Sequence, residues 1–276
     1  MSDYHCLVAG LPDIAFDGAK CQYSVERFKE EVYPSLSPKD AGVVDLILLE
    51  QDNANILALL RRGEEAVLQQ MGCFNREELS AIIDAAKCGD TPDKRVPLYL
   101  YRFLEYYFAH ESQEYMIWEN VLCTYYYEYA TGCANNFAAE WFCFNLNVNN
   151  ILVAMNARKY KLGVEESVIG DGEVAEALRT SGARDFGLAG TLDYIDEVQR
   201  LSENGRLQER EHQLDEMRWR WLDDNSVFCY FSVERLFVFL QKLLILERWE
   251  KLDTEKGMER YNEMIAELKS GMDKKG

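Results

Sequence analysis

The sequence predicts an all-α protein, and three observations carry that prediction. Only five of its 276 residues are proline and long stretches lack glycine, so few positions force the chain to break. Apolar residues recur at helical rather than alternating intervals, as Val44, Leu48, Ile56, Leu59 and Leu60 do. Helix-start signals stand ahead of such runs. Ser37-Pro38 offers a serine cap with proline at the first helical position, and Asn75 has Glu78 three residues on.

Taken in order, Tyr4 to Leu11 is the least helical segment: short, apolar and closed by Pro12-Asp13, it is expected to be extended. Ser24 caps a short helix that Pro34 stops near Tyr33. Pro38 opens a long helix ending near Gly63, and a third runs from Asn75 to Cys88-Gly89. Thr91 to Pro97 is a connector. Leu98 to about Tyr129 is dense in aromatic residues, which with Arg102 as the one lysine or arginine among them read as helix packing rather than as a stacking platform. Gly132 separates this from a helix through Arg158 whose inner side carries Phe137, Trp141, Phe144, Val148, Ile151 and Met155. An irregular stretch around Ile169-Gly170-Asp171-Gly172 precedes a short helix from Glu173 to Arg179. Leu207, Leu214, Met217 and Trp221 mark an amphipathic helix. Ser232 caps another through Leu252, and Glu255 to Lys269 forms the last.

The chain also repeats itself. Asp52-Asn53-Ala54-Asn55-Ile56-Leu57 returns as Asn147-Val148-Asn149-Asn150-Ile151-Leu152, and Ser24-Val25-Glu26-Arg27 returns as Ser232-Val233-Glu234-Arg235. A weaker third echo is Glu259 with Asn262. One helical domain over 1–276 is expected, with pseudo-repeats at about 1–95, 96–200 and 201–276, an organisation more common in scaffolds than in catalysts. On a helical projection Asp52 falls at the border of the apolar stripe, and Asn147 and Asn150 take similar positions. Such polar groups must find partners, since leaving one unsatisfied costs about 1–3 kcal/mol. Two readings follow: these residues lock neighbouring helix ends within each repeat, or they bind a partner directly.

The net charge of −18, from 48 acidic and 30 basic residues, repels phosphates and anionic lipid and so argues against nucleic acid or a membrane surface as a direct partner. An acidic surface suits basic loops on a protein partner, or serves solubility alone. The eight cysteines contain no C-x-x-C, and Met1-Ser2-Asp3-Tyr4 opens no signal peptide, so buried free thiols in a reducing cytosol are expected. The apolar run Leu236 to Leu246 is interrupted by Gln241 and Lys242 and is too short to span a bilayer.

Catalytic patterns are scarce: neither phosphate-binding glycine loops nor G-x-S-x-G occur. Glu209-x-x-His212 has the spacing used in di-iron bundles but lacks a second copy, so a solvated charged face is the plainer reading. No catalytic residue, cofactor or metal is assigned.

Asn147-x-x-Asn150-Ile151-Leu152-x-x-Met155-x-Ala157-Arg158, followed by Gly163 and Ile169-Gly170-Asp171-Gly172, resembles the central signature of the C subunit of A/V-type ATP synthases, the counterpart of the V-ATPase d subunit. Asp52-x-x-Asn55-Ile56-x-x-Leu59-Leu60-Arg61 is similar to an earlier copy. The opening Leu7 to Asp13, with Glu247-Arg248-Trp249, looks closer to an uncharacterised bacterial branch associated with V-type ATP synthases. Asn147 stands where that family has Asp, Asn156 where it has Arg, and the chain is shorter than typical members. The resemblance implies a funnel of three helical units, a non-catalytic central-rotor component joining the central shaft to the proteolipid ring. It further implies a cytoplasmic protein held peripherally at the membrane through that complex, with Asp52, Asn55, Asn147, Asn150 and Arg158 as structural or interface residues. The alternatives are a helical-repeat adaptor with unrelated partners, and a metal-dependent helical enzyme built around Glu209 and His212.

Overall fold

A computed structural model describes residues 4–16, 21–68, 72–90, 93–110, 115–165 and 167–273, with the side chains of 115–116 and 254–273 set aside. Among these residues the fold is all-α: eleven α-helices, two short 3-10 turns and no strand. The helices are α1 His5–Gly10, α2 Val25–Val32, α3 Pro38–Arg62, α4 Arg76–Cys88, α5 Leu98–Ala109 and α6 Tyr115–Thr131. They continue as α7 Asn136–Tyr160, α8 Glu173–Thr180, α9 Ile195–Glu203, α10 Leu207–Asn225 and α11 Val233–Asp273.

The start signals act as their chemistry dictates. The Ser24 and Ser37 hydroxyls accept the Arg27 and Asp40 amides at 3.1 and 3.2 Å. Asn75 and Glu78 form a reciprocal capping box, so two otherwise orphaned amides are satisfied at the head of α4. Gly89 stops α4 in the left-handed region, where glycine carries no Cβ penalty.

Three expectations are corrected. Tyr4 to Leu11 is not extended, because α1 folds over the start of α11. The Tyr4 amide donates to the Phe231 carbonyl at 2.7 Å and the His5 ring lies 3.9 Å from that of Phe231. Tertiary contact, rather than local propensity, makes this turn helical. The tail is one helix rather than two, since α11 continues through Leu252 to Asp273 with no glycine or proline strong enough to break it. Helix α9, which the sequence does not announce, has no side-chain cap. The eight cysteines are all free thiols, but none is fully buried, and Cys6, Cys88 and Cys143 are exposed.

Helices α5, α6 and α7 pack in succession, α9 and α8 lie on α7, and α11 lies along α3. One continuous apolar core runs through all of them, with Phe28, Phe103 and Phe237 fully enclosed. Between α7 and α10 the Trp221 ring lies 5.3 Å from Phe144, 5.4 Å from Trp141 and 5.7 Å from Phe137, a rigid aromatic joint.

Candidate functional site

Two polar clamps organise the molecule. Both α3 and α7 have 25 residues, each begins after a side-chain cap, and each places a buried polar residue 14 positions beyond its first. In α3 that residue is Asp52. Its carboxylate accepts the amides of Cys73 at 2.7 Å and Phe74 at 3.3 Å, just ahead of the Asn75 cap of α4. Lys29 of α2 secures the same loop by donating to the Gly72 carbonyl at 2.7 Å. Gly72 is required there, because a Cβ at that position would lie 2.0 Å from Asp52 Oδ1. Burial pushes the Asp52 carboxyl up to about 6, outweighing the downward pull of the two amides and of Lys29.

In α7 the clamp is Asn150. Its Nδ2 donates to the Ile169 carbonyl at 2.7 Å, and its Oδ1 accepts the Ile169 amide at 2.9 Å. Gly170 follows with φ +86°, turning the chain into α8. Arginines reinforce both loops. Arg76 donates to the Glu64 and Ala66 carbonyls, and Arg179 to those of Val168 and Gly170, both at 2.7 Å. Arg158 donates to the Ala183 carbonyl at 2.6 Å and to that of Ser181, with its guanidinium 3.6 Å from the Phe186 ring centroid. Burial lowers the pKa of this guanidinium.

The clamps correct the register read from sequence. The repeated phrase aligns Asp52 with Asn147 and Asn55 with Asn150; in the fold, Asp52 and Asn150 perform the same task, one helical turn out of that alignment. Asp52 is wholly buried rather than at the border of the apolar stripe, and Asn55 is buried too. Asn147 is half-buried and donates to Tyr194 OH at 3.3 Å, a side-chain contact with the turn before α9 rather than a hold on loop backbone. Asp52 and Asn150 lock loops rather than helix ends and lie beneath the surface. The third echo, Glu259 and Asn262, falls outside the described side chains.

A cleft of about 940 Å³ opens between α3, α6, α7, α10 and α11. Its polar wall centres on Arg218, which donates to Asn145 Oδ1 at 3.0 Å, Asn149 Oδ1 at 3.3 Å and Asp215 at 3.0 Å. Asp215, buried at 1% exposure, also accepts from Arg248 and from Trp249 Nε1 at 2.8 Å. Asn149 donates to Tyr127 OH at 3.2 Å, tying α6 into the network. The ionic groups are thus paired and hydrogen-bonded, the condition under which buried charge is tolerable. Sequence reasoning misses this network, although a signal for it is present. Asn145 and Asn149 stand four apart on α7, Asp215 and Arg218 three apart on α10, so each pair shares a face.

Glu209 pairs with Arg206 at 3.3 Å, whereas the His212 ring packs 4.8 Å from Phe16 and 5.2 Å from Trp249. Among the described residues no three His, Cys, Asp or Glu side chains gather in a way that could hold a metal ion.

No curated protein and no solved structure matches the chain. Residues 1–272 match the family model described as "Protein of unknown function (DUF2764)", and the chain belongs to that family.

Proposed function

We propose that this chain is a non-catalytic central-rotor component of a bacterial V-type ATP synthase, coupling the central shaft to the membrane proteolipid ring. The observation that supports it best is the doubled module: two 25-residue helices, each gripping a glycine-bearing loop through one buried polar side chain. A part that passes torque between two partners needs loops that do not yield, and these clamps tie loops to helices at fixed points. The same residues carry the resemblance to the C subunit of rotary ATP synthases. Among the described residues no helix is long and apolar enough to cross a membrane, so in this reading attachment to the membrane is peripheral and cytoplasmic, through the complex. The charge of −18 would meet basic surfaces on the shaft or ring.

Co-expression with the shaft and proteolipid components of the same cell tests the reading. The expected result is co-purification in detergent that weakens as salt is raised. Recovery of the chain without either partner at low salt would overturn the rotor assignment and leave a helical-repeat adaptor with unrelated partners.

A further inference from the structure

The turn between α10 and α11 exposes more large apolar surface than any other short segment among the described residues. Val227, Phe228, Tyr230 and Phe231 all face solvent, with Phe228 86%, Tyr230 64% and Val227 56% exposed. Elsewhere such side chains stand singly along the chain or, at Tyr160 and Leu162, as a pair. Scattered exposed apolar residues are normal, whereas four within five residues mark a contact surface. Taking roughly 150–250 Å² for a whole aromatic side chain, the four present about 500 Å².

The turn is held in this shape before anything binds. The Cys229 amide donates to the Ser226 carbonyl at 2.9 Å and the Arg235 amide to the Ser232 carbonyl at 3.1 Å. From the side, α1 fixes Phe231 through the Tyr4 amide and the His5 ring. Phe228 and Tyr230 are left facing outward on a framed backbone, so binding orders little that is not already ordered.

Three kinds of surface cover such a tip: lipid, a second copy of the chain, or a different protein. Charge argues against lipid. Residues 222–234 include Asp223, Asp224 and Glu234 but no lysine or arginine, whereas membrane-surface segments combine apolar with basic side chains. Arg235 follows, but the chain as a whole carries −18 and is repelled by anionic headgroups. Shape argues against a second copy. A two-fold contact sets one patch against itself, and a ring with 86% of its surface open projects from the body, so two tips would meet convex to convex. Nor would about 500 Å² on each side reach the roughly 800 Å² per partner of a stable interface. A concave pocket on a different protein removes both objections, because its walls enclose the rings and reach the flanking helix ends. Aromatic anchors seated in pockets dominate binding in just this way. Of the nearby acids, Asp223 is taken up by Lys242 at 2.5 Å and Glu234 accepts from Asn135 at 2.7 Å. Asp224 remains exposed on the last turn of α10.

We propose that the α10–α11 turn docks a partner protein, whose apolar pocket takes the Phe228 and Tyr230 rings and whose rim sets a lysine or arginine against Asp224. The rotor reading names partners but no surface, and this proposal does not rest on it. Co-purification with shaft and ring components tests that reading, while the experiment below tests the turn, so either can fail alone.

The full chain carrying Phe228→p-benzoylphenylalanine, expressed in the cells that naturally produce it, is photo-crosslinked and the product is identified and mapped by mass spectrometry. The identified partner is then purified and titrated calorimetrically with the chain. The expected result is a crosslink to apolar pocket residues of one other protein. Its affinity should fall at least tenfold with Phe228→Ser or Tyr230→Ser and at least threefold with Asp224→Lys. Leu162→Ser, which removes an equally open apolar side chain beyond the end of α7, should leave the affinity unchanged. Phe228→Ser should melt at the same temperature as the unsubstituted chain, because an exposed ring supports no core. Sedimentation with phosphatidylcholine vesicles, with and without phosphatidylglycerol, should leave the chain in the supernatant. The proposal is overturned by a crosslink to a second copy, to lipid or to nothing. Vesicle binding, a lower melting temperature for Phe228→Ser, undiminished affinity of the Phe228, Tyr230 or Asp224 variants, or an equal loss with Leu162→Ser would overturn it as well.

Discussion

The clamp at Asp52 and the clamp at Asn150 occupy the same place in equal-length helices but hold their loops through different chemistry. Asp52 offers only acceptor oxygens when ionised, and its loop answers with two donors, the amides of Cys73 and Phe74. Asn150 offers one donor and one acceptor, and a single residue, Ile169, answers with both. Each side chain therefore matches the hydrogen-bonding inventory of its own loop. Related geometry does not make the two residues interchangeable, and the cost of a mismatch should differ from one clamp to the other.

Asn150→Asp should have the largest effect. The substitution sets a carboxylate oxygen against the Ile169 carbonyl, a repulsion that the Arg179 guanidinium, already engaged by the Val168 and Gly170 carbonyls, offsets only in part. Removing the partner of a buried group and adding an unpaired charge costs about 3–5 kcal/mol. Urea unfolding at pH 7 would show a loss of that order, shrinking under acid conditions as the new carboxyl gains a proton it can donate. A loss below about 1 kcal/mol would mean that the Ile169 loop is not held through Asn150.

The pH dependence separates the clamps next. The folded pKa of Asp52, about 6, lies above its ordinary value of 3.8, so between those values the folded chain binds the extra proton. Stability linked to Asp52 is therefore greatest below about pH 4 and declines as pH rises through 6, by about 3 kcal/mol in all. Asp52→Asn removes this slope. The stability difference between Asp52→Asn and the unsubstituted chain should move in favour of the variant by about 2–2.5 kcal/mol between pH 4 and pH 7. Movement the other way would show that the two amides, rather than burial, govern the carboxylate. The Asn150 clamp has no titrating group and should add no slope.

The glycines sharpen the contrast on a smaller scale. At Gly72 a methyl group would overlap Asp52 Oδ1, so Gly72→Ala should expel the loop and cost about 2–3 kcal/mol. At Gly170 an added Cβ meets only Leu146 Cδ2 at 3.7 Å, an ordinary contact, and the cost is the strain of a left-handed residue, about 1–2 kcal/mol. Equal losses would indicate that the Gly72 loop has room that the fold does not show.

Much of this architecture is legible in the sequence itself, and the reasons are local. Ser24, Ser37 and the Asn75–Glu78 box mark helix starts because a side-chain oxygen three residues from an orphan amide needs no tertiary help. Asp52 and Asn150 stand out because a polar residue inside an apolar helical stripe must find a partner. Their partners are not legible, since the loops at 72–74 and 169 approach only once the helices pack. For the same reason the sequence of α1 looks extended and that of α9 announces no helix. Arg158 is singled out by resemblance alone, and its stacking on Phe186 depends on a loop more than twenty residues away. The Arg218 network joins α7, α10 and α11 across about a hundred residues, and no local pattern encodes which asparagine of the run from Asn145 to Asn150 faces it.

That run supplies the smallest predicted effect and the sharpest test of register. Aligned by sequence, Asn147 corresponds to Asp52 and should be indispensable. In the fold it is half-buried, and its bond to Tyr194 OH at 3.3 Å can be replaced by water on both sides. Asn147→Ala should therefore cost no more than about 0.5 kcal/mol, the range of ordinary surface substitutions. Asn150→Ala, three residues on, leaves the Ile169 amide and carbonyl without their partner and should cost about 1–3 kcal/mol. Parallel urea titrations of the two variants decide which alignment describes the molecule. If Asn147→Ala proves the more damaging, the repeated phrase marks equivalent positions after all, and the likeness of the Asp52 and Asn150 clamps is coincidental.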